Sequence, residues 1–88
     1  MNSQGKSIEQ YRQCAVLFRL GRDVEAALNM VDLFDEAQRL FLQAPRDVQQ
    51  VWAALLGQML ACQERQDWLG LADFMEYELV DLLESLPA

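Results

Sequence analysis

Histidine does not occur in the 88 residues. Its absence removes the commonest general base and the commonest transition-metal ligand at one stroke. Only four glycines and two prolines punctuate the chain, and 52% of it is hydrophobic against 24% charged. That balance excludes a disordered chain and favours a few long helices. Two cysteines, Cys14 and Cys62, sit far apart within apolar helical spacing and have no Cys-x-x-Cys neighbour. Each reads as a small buried hydrophobe. There is no glycine-rich phosphate loop, no serine nucleophile motif and no basic-then-apolar leader at the start. The longest uncharged run, residues 48–63, contains four glutamines and is shorter than the about 20 apolar residues a membrane span requires. These absences predict a soluble, cytoplasmic protein with no catalytic residue, no cofactor and no metal site.

Basic charge is the other scarcity, with 7 Lys and Arg against 14 Asp and Glu for a net charge of −7. Residues 1–46 are balanced, so the whole excess lies in residues 47–88, where Arg65 is the one basic side chain. A phosphate backbone or an anionic bilayer would be repelled by that half. Neither nucleic acid nor a membrane is an expected partner.

What the chain has in abundance is helical periodicity. Residues 1–6 are polar and expected to be disordered, and residues 7–88 form one helical domain. Ser7 with Gln10 fits a capping box, after which Ile8, Tyr11, Cys14, Ala15 and Phe18 share a face of a first helix ending near Gly21. Asp23 suits the N-cap of a second helix running to about Gln43. That helix is apolar over most of its circumference, so it must be covered from two sides. Pro45 breaks it. A third helix follows, with Pro45 as its first residue or Asp47 as its N-cap. Its apolar face is Val48, Val51, Trp52, Leu55, Leu56, Met59 and Leu60, and Ala53, Gly57 and Ala61 recur on the other side, where small residues let a second backbone approach.

Asp67 caps a fourth helix with Trp68, Leu71, Ala72, Met75, Leu79, Leu82, Leu83 and Leu86 on one face. The turns at Arg22-Asp23-Val24 and Gln66-Asp67-Trp68 correspond. The chain therefore reads as two helical hairpins, 7–44 and 45–86, in an all-α up-and-down four-helix arrangement that either closes on itself or dimerises. Tyr77 points away from the core among Asp73, Asp81 and Glu84, with Phe74 on one flank and Leu69 and Val80 on the other, so that the candidate partner-binding residues are Leu69, Asp73, Phe74, Tyr77, Val80 and Asp81. Aromatic side chains among carboxylates suit recognition of a basic, amphipathic protein helix.

The run Gln63-Glu64-Arg65-Gln66-Asp67-Trp68-Leu69-Gly70-Leu71, continuing to Glu76-Tyr77-Glu78-Leu79, resembles the hairpin turn of small FliT-type flagellar export chaperones. In that family a large apolar residue opens the helix after the turn and a glutamate follows some eight residues later; Trp68 and Glu76 fill those places. The resemblance covers about a quarter of the chain. It implies a non-catalytic cytoplasmic chaperone or adaptor that binds an export substrate or an export-apparatus component. Leu20-Gly21-Arg22-Asp23-Val24-Glu25-Ala26-Ala27-Leu28 is similar to the turn and second helix of a tetratricopeptide unit, which implies the related type III secretion chaperones. The competing expectation is a self-associating structural bundle, most simply a homodimer.

Overall fold

Residues 8–86 are described in the computed structural model, and every regular element among them is helical. The expected disorder of residues 1–6 and the capping box at Ser7 lie outside the described residues. Helix α1 spans Ile8–Arg19, α2 Asp23–Leu42 and α3 Arg46–Glu64. A fourth helix is continuous over residues 68–84 but changes pitch on the way. It consists of α4 (Trp68–Asp73), a π-helical turn (Phe74–Glu78) and α5 (Leu79–Glu84).

Four helices share one core because each has an apolar face that none can bury alone. Helix α1 packs against both α2 and the fourth helix, offering Tyr11, Cys14, Ala15 and Phe18, all buried. Phe18 stacks on Trp68 with ring centroids 5.6 Å apart. Helix α3 lies against the fourth helix and meets α2 through Trp52. The Trp52 ring stacks on Phe41 at 4.9 Å and meets Phe34 edge-on at 6.0 Å, while its Nε1–H donates to Gln38 Oε1 at 2.8 Å. The body measures 34 × 29 × 18 Å, so its short dimension holds about two helix diameters.

Two of the connections are the same device. At the first, the Gly21 N–H donates to Phe18 O and the Arg22 N–H to Leu17 O, with Gly21 at φ 78°. At the second, the Gln66 N–H donates to Gln63 O and the Asp67 N–H to Cys62 O, with Gln66 at φ 60°. Both are Schellman closures, which satisfy the last carbonyls of a helix through one left-handed residue. The residue after it opens the next helix at once, since Arg22 O accepts from the Ala26 N–H and Asp67 O from the Leu71 N–H. This sharing of one residue between two helix ends corrects the expected capping. Arg22 holds the N-cap place without a side-chain bond, and Asp23 is already helical. Asp67 does cap, its carboxylate accepting from the Gly70 N–H at 3.0 Å. The two turns therefore match as Arg22 with Asp67, one residue away from the correspondence read in the sequence.

Between α2 and α3 the chain turns differently. Pro45 occupies the N-cap place and Arg46 is the first helical residue, so Pro45 does not open the helix and Asp47 does not cap it. Asp47 sits in the first turn, where a carboxylate favours the helix dipole. The closing carbonyls of the α2 end are met from outside: Gln49 Nε2 donates to Leu42 O and Ala44 O, each at 2.9 Å.

The π-helical turn is the feature that periodicity did not reveal. A turn of this kind carries one residue more than an α-turn, so everything after it is set back by about 100°. Leu71 and Ala72 point into the core before the turn, Met75 within it, and Leu79, Val80 and Leu83 after it. Val80, expected on the outer surface, is 2% exposed. Uninterrupted α-periodicity would have placed it well off the apolar face. The inserted residue brings it in.

Candidate functional site

The six residues expected to bind a partner separate into three groups. Leu69 and Tyr77 are each 60% exposed, and Asp73 and Asp81 are exposed beside them. Spaced every fourth residue, these four line the outer side of the fourth helix. Phe74 is half-buried and packs against the core from its edge. Val80 is interior and leaves the set.

An arginine from another helix governs the charge of this face. Arg19 Nη2 donates to Asp73 Oδ1 and Glu76 Oε1, both at 2.8 Å, and Nε reaches Glu76 Oε1 at 3.2 Å. Hydrogen bonds donated to Asp73 and then to Glu76 push the Arg19 pKa above its ordinary value. The guanidinium is one-third exposed, so such a clamp contributes little stability. It does neutralise the near end of the acidic face. Among the described residues no ion pair reaches Glu78, Asp81 or Glu84, and the uncompensated charge collects there.

A second surface is apolar. Between α2 and α3 runs an open groove of about 460 Å³ whose floor is Phe41 and Trp52 and whose walls are Leu42, Leu56 and Leu60. Leu42 is 62% and Leu60 47% exposed, so the walls stand in water. Ala53 and Gly57 line the gap between them, and a Cβ built at Gly57 would meet nothing within 4 Å. The groove exists because α2 and α3 touch mainly through Trp52, leaving the later turns of α3 without a neighbour on that side. In the structure the fourth helix contributes none of its lining. Of the small-residue series Ala53, Gly57 and Ala61, the first two line the groove and Ala61 does not.

Neither cysteine is exposed. Cys14 is buried at the bottom of an open cavity between α1 and α2, and its thiol lies 3.3 Å from Ala26 O as a donor. Burial pushes its pKa up to about 11, leaving almost no thiolate at neutral pH. Cys62 is buried as well, and both are free thiols. Tyr11, the other buried titratable group, donates its hydroxyl to Leu33 O at 3.1 Å, and burial followed by the nearby Glu36 charge raises its pKa. Among the described residues no group of three or more His, Cys, Asp or Glu is placed to hold a metal. No helix is long and apolar enough to cross a membrane.

No protein-family model, curated protein or solved structure matches this chain. Geometry and charge therefore carry the functional reading. They show an apolar groove open to solvent, together with a carboxylate-rich helix face.

Proposed function

We propose that this protein is a non-catalytic, acidic protein-binding module, a cytoplasmic chaperone or adaptor for a component of a flagellar or secretion system. Its two-hairpin protomers assemble as a homodimer, and the α2/α3 groove receives an amphipathic helix of the partner. The observation that carries this reading is the groove itself. Its floor is two stacked aromatic rings and its leucine walls stand in water, a shape that takes side chains at i, i+3, i+4 and i+7. The small residues Ala53 and Gly57 let a helix backbone come near. Desolvating the exposed Leu42 and Leu60, with the part of Leu56 still in water, supplies the binding energy over a floor that is already buried, and the negative charge of the second half of the chain speeds the approach of a basic partner. The likeness of residues 63–79 to flagellar export chaperones supports the class of partner.

The test is a titration followed by Trp52 fluorescence. The probe is a synthetic helix with leucines at that spacing and lysines on its other face, run beside helical segments of export substrates and export-apparatus components. Binding should weaken at least tenfold in Leu60→Glu, and its on-rate should fall between 0.05 and about 0.5 M salt. Equal binding by Leu60→Glu and the parent protein would remove the groove from the account.

A further inference from the structure

Helix α3 carries the groove along one side and a charge at each end of that side. It spans 19 residues, so its first and last, Arg46 and Glu64, stand about five turns and about 27 Å apart and point the same way. Gln49, Ala53, Gly57 and Leu60 follow one another between them at intervals of three and four residues, and all four line the groove. Past Leu60 the groove opens onto a shallower hollow bordered by Ala61, Gln63 and Glu64. The groove proper has no charged lining, its polar members being Gln38 and Gln49, and Glu64 is the one charged side chain of the hollow.

Both end charges stand against the helix that bears them. A helix dipole favours a carboxylate in the first turn and a cation in the last, and Asp47, about 100° round from Arg46, obeys that preference. Arg46 and Glu64 reverse it. Each is exposed, and among the described residues neither enters an ion pair. Such a conflict between local preference and the residue in place is expected where a surface binds something.

The pair gives the groove a direction. The dipole of α3 is positive at the Arg46 end and negative at the Glu64 end, so it adds to the two side chains. Helix α2 ends beside Arg46, but its last carbonyls are taken up by Gln49. A helix laid in the groove therefore lies lowest in energy with its positive N-terminus at Glu64 and its negative C-terminus at Arg46.

We infer that the occupant of the groove is an amphipathic helix of about five turns that lies antiparallel to α3, with a lysine or arginine in its first turn against Glu64 and a carboxylate in its last turn against Arg46. This rests on the proposed groove and adds the direction of the bound helix and the placing of its charges. A helix whose end charges suit its own dipole is the one the groove rejects.

Two stapled probe helices of about 18 residues, alike in composition and in their leucines, test it by Trp52 fluorescence on the full chain. One carries lysine in its first turn and glutamate in its last, and the other has the two exchanged. The first should bind about fivefold more tightly at about 0.05 M salt, and Arg46→Glu together with Glu64→Arg should invert the preference. That double exchange suits the dipole of α3, so the variant keeps its fold. A nitroxide on the N-terminus of the first probe should broaden the amide signals of Gln63 and Glu64 and spare those of Asp47 and Val48. Equal binding of the two probes, a preference that survives the double exchange, or broadening at Asp47 overturns the inference and leaves the groove standing. If neither probe binds, the groove and the inference fall together.

Discussion

Replacing Gln66 by glycine should stabilise the protein, and the size of the gain follows from the two matching turns. Gln66 sits at φ 60°, where a side chain crowds the following carbonyl at a cost of about 1–2 kcal/mol. Glycine relieves that crowding but enlarges the freedom of the unfolded chain, which returns about 0.4–1 kcal/mol. The net is a gain of about 0.5–1 kcal/mol. For a domain of this size that raises the melting temperature by about 2–8 °C. Gly21 supplies the mirror experiment. It sits at φ 78° with open space around a prospective Cβ, so Gly21→Ala should cost about 1 kcal/mol through backbone strain alone, without any steric contact to confuse the reading. Thermal melts by circular dichroism, run at one protein concentration so that self-association does not intrude, measure both. A Gln66→Gly variant that melts at or below the parent would refute the argument that the second turn is a strained copy of the first.

Val80→Ala should cost about 2 kcal/mol as a core truncation, while Tyr77→Ala stays within about 0.5 kcal/mol as a surface change; urea denaturation that ranked them the other way would contradict the π-helical register. Gly57→Ala should raise the stability of the free protein by up to about 1 kcal/mol, because the position is helical and open, and should weaken groove binding in the fluorescence titration. Loss of stability in that variant would mean the groove is not open at Gly57. Alkaline pH should destabilise the fold from about pH 9 upward. The Cys14 thiol is held at about 11 in the fold against an ordinary 9.0, so the folded state keeps its proton longer. The stabilisation is complete below the unfolded value and disappears as pH rises through the folded one. Raised titration of Tyr11 adds to the loss at higher pH. A melt series from pH 8 to 11 should show a shallower decline in Cys14→Ala between about 9 and 10.5; an identical slope would exclude the thiol as the cause.

Much of the architecture was readable from spacing because helix faces are a local property. Tyr11, Cys14, Ala15 and Phe18 recur at intervals that only a helix brings to one side, and the same holds for Trp52, Leu55 and Met59. Two things were not local. The Asp23 cap failed because the preceding Schellman closure uses Arg22 for both helices, and that overlap depends on how short the connection is. Val80 was misplaced because an extra residue in a helix leaves no mark on composition. Trp52 and Leu55 bury as expected, yet Val51 and Leu60 on the same stripe stay exposed. Whether a stripe residue is covered depends on how far the neighbouring helix runs alongside it. For the candidate surface, the acidic face was legible as a run of carboxylates, whereas the Arg19 clamp joins residues more than fifty positions apart. The groove depends on the crossing of α2 with α3, which no single segment encodes.

The wide turn at residues 74–78 also makes an unusual kind of sequence change tolerable. Removing one residue from the middle of an ordinary helix swings the remainder round by more than a quarter turn and drives its polar side inward. Here the same loss would convert the wide turn into a normal one, leaving Met75 and Leu83 on the sides they already occupy. A chain lacking Glu78 should consequently still fold, with Leu79 and Val80 in their present places. The fourth helix thus holds one residue in reserve, and its length can change by that residue without disturbing the core beneath it.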